Sequence, residues 1–424
     1  MPVSLSVRPM VTSTLLCLVL LHVVGVLGFP VTLKLERSFP TNHDVELKQH
    51  TERDGLRHRR ILHKYSDPNV VVGFRVLGTY DPFDAGLYYT KIKLGFTPKE
   101  YYVVIDTGSD LLWVGCKPCQ SCPTSSTLQI PITIYDPASS STSSPILCSE
   151  ERCSPTSNSC SDNQCTYDLH YEDGSGTSGL LSQTDKTVDG IMGLGRQSMF
   201  VIFQLSSQGI APNSFSHCLA GGDGGGILAF STPIMPDVVF TPLVKSAWHY
   251  NVNLESISVN VQTLTIDPSV FALSDHQALS DHQAGTIIDS GTTLVYITEE
   301  AYTPVVDVIK QADSNFIQAL MSSENLCYSF NLCYFYTVIF PIVRFNFAGG
   351  ASMHFKPQDY LIRQFSTNGS QIWCTGIQTS PERGLTILVE LALKDKTVVY
   401  DSDGQQIGWA ESNCKFIKKK INKL

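Results

Sequence analysis

Two short stretches decide the fold: Val103-Val104-Ile105-Asp106-Thr107-Gly108-Ser109 and Thr286-Ile287-Ile288-Asp289-Ser290-Gly291-Thr292. Each is an apolar run that predicts a buried strand, followed by Asp, a hydroxyl residue, Gly and a second hydroxyl residue. A carboxylate at the end of a buried strand is costly unless it is hydrogen-bonded or paired. We therefore expect the two halves of the chain to contribute one carboxylate each to a shared site.

The chemistry of such a pair explains why both residues are Asp. Two carboxyl groups a few ångströms apart cannot both ionise, so the pair holds one proton in mildly acidic solution. The ionised member takes a proton from a bound water, and the protonated member donates to the carbonyl oxygen of a peptide bond as the water attacks. Asp106 and Asp289 are the predicted catalytic residues.

The residues that follow each Asp predict how the carboxylates are held; they are Thr107, Gly108, Ser109, Ser290, Gly291 and Thr292. The glycines let backbone N–H groups approach the carboxylates, where a Cβ would crowd them. The first hydroxyl of each motif is expected to bond across the junction, and the second to orient its own Asp. A single copy is equally typical of an Asx turn that closes a strand, but two matched copies favour the paired site.

Further motifs make the chain similar to plant aspartic proteases of the pepsin family, in the cysteine-rich, nepenthesin-like group. The motifs cover most of the chain and are Gly86-Leu87-Tyr88-Tyr89-Thr90, the first Asp motif through Trp113, Tyr171-Glu172-Asp173-Gly174-Ser175, Asp189-Gly190-Ile191-Met192-Gly193-Leu194-Gly195, Phe215-Ser216-His217-Cys218-Leu219, the second Asp motif and Ile407-Gly408-Trp409. The resemblance implies a mostly β, bilobal pepsin-like fold and an endopeptidase that acts on polypeptides at acidic pH. It also implies no cofactor and no metal.

The resemblance assigns roles to two aromatic residues. Tyr171 matches the tyrosine of the flap, a hairpin that closes over substrate and excludes water. Trp113 matches the indole that receives the hydroxyl of that tyrosine. The alternative for Tyr171 is an ordinary strand aromatic that precedes a glycine turn.

The N-terminus has the pattern of a secretory signal peptide over residues 1–28. Arg8 precedes an apolar run from Leu15 to Leu27, and Val26-Leu27-Gly28 is a small-residue cleavage site. An N-terminal membrane anchor is the alternative, although the run is short for one. The signal predicts the secretory pathway, ending either outside the cell (the apoplast) or in the vacuole.

Residues 29–75 are predicted to be a prosegment. The first 75 residues carry ten Lys or Arg and six Asp or Glu, whereas the whole chain has a net charge of −9. A basic segment ahead of an acidic body fits an inhibitory segment that lies across the cleft. Acidification would neutralise carboxylates, loosen this attraction and start self-removal. A basic, solvated linker is the alternative.

The rest of the chain is long enough for two lobes with substantial cores. We expect an N-terminal lobe over 76–243, which includes the cysteine-rich insertion and the flap, a C-terminal lobe over 244–414 and a basic tail over 415–424. Helical periodicity is strongest from Glu299 to Ala312, with Ala301, Val305, Val308 and Ile309 on one face. We further expect a monomer, with no nucleic-acid partner and no membrane span in the mature chain.

The cysteines predict an oxidising compartment. Of the thirteen, Cys17 falls in the signal peptide, which leaves an even number. Cys116, Cys119 and Cys122 have a spacing that suggests zinc in a cytosolic protein, but behind a signal peptide it favours disulfides. The resemblance implies that Cys327 pairs with Cys374. In a secreted chain, Asn368-Gly369-Ser370 is a glycosylation site.

Two departures from the family pattern raise doubt about activity. After the flap, Gly179-Leu180-Leu181-Ser182-Gln183 runs almost directly into the Asp189 motif, where relatives have further strands and a cysteine. Their loss would expose sheet edges and leave one cysteine without its partner. In the second half Val389 stands where the family has Gly. A shift of Asp289 by about 1 Å would cost around a hundredfold in rate.

Two functions therefore follow from the sequence. The first is a secreted acid endopeptidase that cuts extended polypeptides at bulky apolar residues. The second is a catalytically impaired relative that acts as a binding or inhibitor protein. The complete Asp motifs favour the first, and the two departures favour the second.

Overall fold

The computed structural model describes residues 32–34, 36–37, 76–77, 88–119, 122, 124–126, 130–145, 147–149, 158–161, 163–170, 176–178, 181–182, 189–196, 200–207, 211–221, 225–230, 237–245, 247, 249–273, 285–311, 318–321, 326–329, 339–365, 371–380 and 384–414. The predicted signal peptide, Tyr171, Asn368 and the basic tail lie outside these residues. The expectations for those segments stay predictions.

Strands make up most of the described structure. In the first half they are β1 (Thr32–Lys34), β2 (Glu36–Arg37), β3 (Val76–Leu77), β4 (Tyr88–Leu94), β5 (Lys99–Asp106), β6 (Leu112–Val114), β7 (Asn158–Ser161), β8 (Gln164–His170), β9 (Gly176–Ser178), β10 (Leu181–Ser182), β11 (Gly190–Gly193), β12 (Ser214–Leu219), β13 (Gly226–Ala229) and β14 (Val239–Pro242).

The second half continues the pattern. Its strands are β15 (Asn251–Val252), β16 (Leu254–Val259), β17 (Gln262–Thr263), β18 (Gly285–Asp289), β19 (Val295–Ile297), β20 (Gln318–Met321), β21 (Leu326–Ser329), β22 (Val343–Phe347), β23 (Ser352–Phe355), β24 (Leu361–Phe365), β25 (Gln371–Thr375), β26 (Ile377–Thr379), β27 (Leu385–Val389), β28 (Lys396–Asp401) and β29 (Gln406–Glu411).

The described helices are short and few. The α-helices are Val201–Ser206, Glu299–Lys310, Pro357–Tyr360 and Glu390–Leu393, and the 3-10 helices are Pro137–Ser139, Pro268–Phe271 and Ala348–Gly350. Among these helices, none has the length and apolar composition needed to span a membrane. The mostly β fold class predicted from the sequence is confirmed.

One twelve-stranded sheet contains strands from both halves of the chain. Its order is β14-β29-β28-β12-β13-β1-β3-β4-β5-β11-β6, and β2 pairs with β4 beside this path. The last strands of the chain, β28 and β29, therefore lie next to β12 and β14 of the first half. This shared sheet joins the two halves by backbone hydrogen bonds.

The same three-strand arrangement occurs in each half. In the first, β11 lies between β5, to which it is parallel, and β6, to which it is antiparallel. In the second, β27 lies between the parallel β18 and the antiparallel β19. Both Asp strands are apolar and buried before the Asp, as expected for strands covered on both faces. The repeat seen in the sequence is thus a repeat of structure.

Part of the predicted prosegment is a strand of the large sheet. β1 pairs antiparallel with β13, in the register Thr32↔Ala229 and Lys34↔Ile227. It also lies parallel to β3, through Lys34↔Val76. The basic composition of this region did not predict a strand within the body of the protein.

The predicted helix is confirmed with two corrections. It spans Glu299–Lys310, so it ends two residues before Ala312. The buried face consists of Ala301, Val305, Val306 and Ile309. Val306 therefore takes the place that the periodicity gave to Val308, which is half-buried.

Disulfides are present, and the predicted pair of Cys327 with Cys374 is confirmed. Cys119 is bonded to Cys122, and Cys218 to Cys414, which ties β12 to the end of β29. Cys116 keeps a free thiol. Among the described cysteines at least this one is unpaired, so the even count did not mean that every thiol is bonded.

Candidate active site

Asp106 ends β5 and is almost completely buried. The backbone N–H of Gly108 donates to its Oδ1 at 3.0 Å, and the hydroxyl of Ser109 donates to its Oδ2 at 2.7 Å. Each carboxylate oxygen of Asp106 therefore has one donor from its own motif. Two such bonds offset part of the cost of burying a carboxylate.

Asp289 ends β18 and is held in the same way. The N–H of Gly291 donates to Oδ1 at 2.7 Å, and the hydroxyl of Thr292 donates to Oδ2 at 2.6 Å. The donor types and sequence offsets equal those around Asp106. The predicted roles of the two glycines and of Ser109 and Thr292 agree with this geometry.

The first hydroxyl residue of each motif reaches across to the other motif. The N–H of Ser290 donates to Thr107 Oγ1 at 2.8 Å, and the N–H of Thr107 donates to Ser290 Oγ at 3.3 Å. The Thr107 hydroxyl also lies 3.4 Å from the carbonyl oxygen of Ile288. These bonds fix the two Asp turns to each other, as the sequence predicted for this pair.

The two carboxylates face the same small space. A Cβ built on Gly108 would lie 2.9 Å from Asp289 Oδ1. A Cβ on Gly291 would overlap Asp106 Oδ1 and would lie 3.1 Å from Asp289 Oδ1. Each glycine is therefore in van der Waals contact with the carboxylate of the other motif. Only a residue without a side chain fits at either position.

Val389 lies opposite Asp289 in the strand register, as Gly193 lies opposite Asp106. A Cβ on Gly193 would lie 2.5 Å from the backbone nitrogen of Leu111, so a side chain is excluded there. In the second half the Val389 side chain is accommodated and fully buried. Asp289 nevertheless keeps both hydrogen bonds from its own motif.

The shortened segment before the Asp189 motif leaves the strand beside Asp106 in place. β11 pairs through Gly193↔Asp106 on one side and Ile191↔Trp113 on the other. The N–H of Leu194 also donates to the carbonyl oxygen of Asp106 at 2.7 Å. The edge exposure expected from the deletion therefore does not occur at β11.

The predicted aromatic partners are only partly described. Trp113 lies on β6, is 8% exposed and packs against Tyr89, Val104 and Ile191. Tyr171 lies outside the described residues, so its contact with Trp113 stays a prediction. In the described part of the chain, no three His, Cys, Asp or Glu side chains group closely enough to hold a metal ion.

Tyr250 bridges the Asp289 strand, β18, and the residues that follow β11, the strand beside Asp106, a role that the sequence did not predict. Its hydroxyl donates to the carbonyl oxygens of Leu194 and Gly195, at 2.9 and 3.0 Å. Its own carbonyl oxygen accepts from the N–H of Ile288, the residue before Asp289, at 3.1 Å. In the sequence, Tyr250 is one tyrosine among seventeen and carries no motif.

Arg196 attaches the first half to the segment that leads into the second. Its Nη1 donates to the carbonyl oxygens of Val244, Ala247 and His249, at 3.0 to 3.2 Å. Burial lowers the pKa of this guanidinium. Because it follows directly after Gly195, Arg196 fixes the connecting segment close to the Asp106 turn.

Asp189 is a buried carboxyl group next to the site, and the sequence motif that contains it did not predict a role for its side chain. Its Oδ2 accepts from the N–H of Tyr102 and its Oδ1 from the N–H of Thr133, both at 2.7 Å. Burial raises the pKa of Asp189 to about 6, against the lowering effect of these two bonds. The folded protein thus retains a proton here that the unfolded chain loses at lower pH.

This shift predicts a stability that falls as the pH rises from about 4 to about 6. Below the unfolded pKa of about 3.9, Asp189 is protonated in both the folded and the unfolded state. Between this pH and the folded pKa only the folded state binds the proton, so the free energy of unfolding falls as the pH rises, until the folded state also loses the proton. The loss amounts to about 2–3 kcal/mol. We expect the thermal unfolding midpoint of Asp189→Asn to change less with pH, between pH 4 and 6.5, than that of the wild-type protein.

Asp267→Asn is the matched control for that experiment. Asp267 is an exposed carboxyl group whose pKa is lowered by hydrogen bonds from Ser269, so its contribution changes at lower pH. This control should keep the wild-type slope between pH 4 and 6.5. An unchanged slope in Asp189→Asn would contradict the assignment.

Two family models match most of the described region. Residues 88–188 match the model described as xylanase inhibitor N-terminal, and residues 249–411 match the model described as xylanase inhibitor C-terminal. Aspartic proteinase 36 of Arabidopsis thaliana is 35% identical over 412 residues, which cover 87% of this chain and 80% of the relative. The chain belongs to the plant aspartic proteases of the pepsin family. The family predicted from the motifs is thereby confirmed.

Other relatives and solved structures agree with this assignment. Aspartic proteinase nepenthesin-1 of Nepenthes gracilis is 28% identical and covers 78% of each chain. The crystal structure of edgp has a TM-score of 0.60 at 16% identity and covers 79% of this chain and 94% of its own. Basic 7S globulin from soybean has a TM-score of 0.57 at 18% identity, with coverage of 79% and 95%. At these identities the structures establish the pepsin-like fold alone.

Proposed function

We propose that this plant aspartic protease family member is a secreted endopeptidase that hydrolyses peptide bonds at acidic pH. The observation that carries the proposal is the reciprocal contact of the two motifs. A Cβ on Gly108 would meet the Asp289 carboxylate, and a Cβ on Gly291 would meet that of Asp106. Two carboxyl groups that face one space in this way are suited to share a proton around a water molecule.

The hydrogen bonds leave the two carboxylates with complementary tasks. In each Asp one oxygen accepts from a backbone N–H and the other from a hydroxyl, so both groups are fixed before substrate binds. The ionised Asp takes a proton from the water as its oxygen attacks the carbonyl carbon of the peptide bond. The protonated Asp donates to the carbonyl oxygen, and the tetrahedral intermediate collapses as the amine leaves.

The aspartic proteinase relatives support polypeptides as the substrate class. We infer that extended polypeptides bind across the cleft between the two halves, with bulky apolar residues at the cut. Tyr171 and Trp113 are the proposed flap tyrosine and its partner. The proposed destination is the extracellular space or the vacuole.

The test is a peptidase assay on the purified, folded protein with denatured haemoglobin at pH 3–5, with and without pepstatin. We expect cleavage that pepstatin suppresses. Folded and processed protein that shows no cleavage at any pH in this range would discard the endopeptidase proposal.

An inhibitor or binding protein is the second candidate, and the descriptions of the two matching family models favour it. In this function a catalytically impaired chain would bind a plant cell-wall-degrading enzyme such as a xylanase. Titration of the protein into a xylanase assay distinguishes the candidates. Xylanase inhibition without haemoglobin cleavage would replace the first proposal by the second.

We propose that residues 29–75 act as a removable prosegment. The position of β1 between β13 and β3 supports this, because the strand attaches the N-terminal segment to the large sheet of the protease. We expect precursor maturation to be faster at pH 4 than at pH 7, since acid neutralises the carboxylates that attract the basic segment. The measurement is the mass of the secreted product over time. Equal rates at the two pH values would rule out this mechanism.

A further inference from the structure

A cluster of buried aromatic side chains lies behind the two Asp turns. Phe215 on β12 stacks on Tyr400 on β28, with ring centroids 4.4 Å apart and planes inclined by 4°. Tyr250 meets Tyr400 edge-on at 4.6 Å. All three side chains are fully buried. The position of the Tyr400 ring is therefore set by packing from two sides.

His217 lies in the same layer and is also fully buried. Its Nε2 is 3.0 Å from the hydroxyl oxygen of Tyr400. In either tautomer of a neutral imidazole, Nε2 and this hydroxyl share one hydrogen bond. The direction of the Tyr400 O–H group therefore depends on His217.

Tyr400 lies beside the catalytic turns. The carbonyl oxygen of its packing neighbour Tyr250 accepts from the N–H of Ile288, and the carbonyl oxygen of Ile288 is 3.4 Å from Thr107 Oγ1. Burial raises the pKa of Tyr400, a hydrogen bond with the Thr107 side chain lowers it, and the nearby Asp289 raises it. Thr107 is itself fully buried, and its Oγ1 accepts the N–H of Ser290 at 2.8 Å. His217, Tyr400 and Thr107 thus form a chain of neighbouring buried polar groups that ends at the junction of the two Asp motifs.

We propose that His217 and Tyr400 are positioning residues for the reaction, which hold Thr107 so that the two Asp turns stay in register. The inference rests on the proposed peptidase function of the same site. Both residues act through Thr107, whose side chain joins the two motifs.

Packing alone does not need the polar groups of His217 and Tyr400. A fully buried hydroxyl and imidazole are costly unless their hydrogen bonds compensate. Phenylalanine and leucine would fill the same volume without that cost. The polar pair at this place has a use if it orients Thr107, because a displacement of about 1 Å at the Asp pair costs around a hundredfold in rate.

His217 suits a site that works in acid. Burial lowers its pKa to about 3, against a smaller opposing effect of its own backbone carbonyl. The imidazole therefore stays neutral at pH 4–5, where an exposed histidine would carry a charge. The chain from His217 to Thr107 consequently keeps the same protonation at pH 4–5, where the peptidase is proposed to work.

The experiment measures kcat and KM of Tyr400→Phe with a peptide substrate at pH 4. Only the hydroxyl is removed, so the stacking on Phe215 is retained. We expect kcat to fall by roughly tenfold with KM nearly unchanged, because the lost contact positions catalytic groups and does not bind substrate. His217→Leu should have the same effect, and His217→Gln, which retains a polar partner, should recover part of the rate.

Tyr360→Phe is the matched control. Tyr360 is also fully buried, and its hydroxyl donates to the carbonyl oxygen of Pro341 at 2.6 Å, outside this chain of contacts. Its removal should leave kcat at the wild-type value. Equal losses of kcat in Tyr360→Phe and Tyr400→Phe would show a general effect of stability and overturn the proposal. An unchanged kcat in Tyr400→Phe would overturn it directly.

A double-mutant cycle separates this inference from the proposed function. If the wild-type protein is folded but inactive, the peptidase proposal fails, and the thermal midpoints of Tyr400→Phe, Thr107→Val and the double variant still test the contact. We expect Tyr400→Phe to lower the midpoint less in the Thr107→Val background, since neighbouring groups in one network are not additive. If the midpoint changes of the two single variants simply add in the double variant, the proposed coupling between Tyr400 and Thr107 is wrong.

Discussion

Replacement of Asp289 by asparagine is expected to lower kcat by about a thousandfold, since a general acid–base group typically contributes about 10²- to 10⁴-fold to the rate. The asparagine oxygen can still accept the N–H of Gly291, and its amide can donate to the hydroxyl of Thr292, so the fold is retained. What is lost is a proton that can move between the two side chains. The measurement is haemoglobin cleavage at pH 4, and Asp106→Asn should give the same loss.

Asp267→Asn is the control for a general effect of removing a carboxylate. Asp267 is exposed and caps the 3-10 helix Pro268–Phe271 through a bond from the N–H of Ser269. Its replacement should leave the rate unchanged. Residual activity of either catalytic variant above about one tenth of wild type would contradict a mechanism in which the Asp pair moves the proton.

Gly291→Ala is expected to cost roughly a hundredfold in kcat and to lower the thermal midpoint. The new Cβ would overlap Asp106 Oδ1 and would come within 2.6 Å of Asp106 Cγ. One of the two turns must therefore move, and a shift of about 1 Å in catalytic geometry has a cost of this order. Both kcat and the midpoint of thermal unfolding should be measured.

Gly108→Ala tests the same steric overlap in a milder form, and Gly350→Asn is the control for replacing a glycine. A Cβ on Gly108 would meet Asp289 atoms at 2.9–3.0 Å, a milder overlap, so the loss should be smaller than for Gly291→Ala. Gly350 has φ +81° and no atom within 4 Å of a new Cβ, and asparagine tolerates that backbone conformation. This control should keep full activity. The reverse order of the two glycine variants would argue against a shared carboxylate space.

The two departures from the family pattern, Val389 and the shortened segment before the Asp189 motif, leave the hydrogen bonds of the Asp pair in place. Val389 keeps the strand register of Gly193, and Asp289 keeps the same two donors as Asp106. β11 is paired on both of its sides. These observations favour the endopeptidase over the impaired relative in the function that we propose.

The local parts of the site were predictable because their signals are local. An apolar run that ends in Asp specifies a buried strand followed by a turn, and a glycine two residues later specifies close approach of the backbone. The bonds from Gly108 and Ser109 to Asp106 follow from residues two and three positions away. The duplication then predicted the partner in the second half.

The positioning groups were not predictable in the same way. Tyr250, His217 and Tyr400 are separated along the chain from the Asp residues that they support, and a buried tyrosine has no sequence pattern that distinguishes it from an ordinary core aromatic. The accommodation of Val389 depends likewise on the space left by neighbouring strands. In the first half the same position is closed to any side chain by the backbone of Leu111.

The amino-acid sequence by itself determined the fold class, the family and the two Asp motifs, because strand periodicity and turn chemistry act over a few residues. Only the tertiary structure decided that β1 joins the central sheet, that Cys116 keeps a free thiol and that Tyr250 links the Asp289 strand to the residues after β11. These features depend on contacts between residues far apart in the chain. Such contacts are selected by the free energy of packing the whole molecule, which no local pattern encodes.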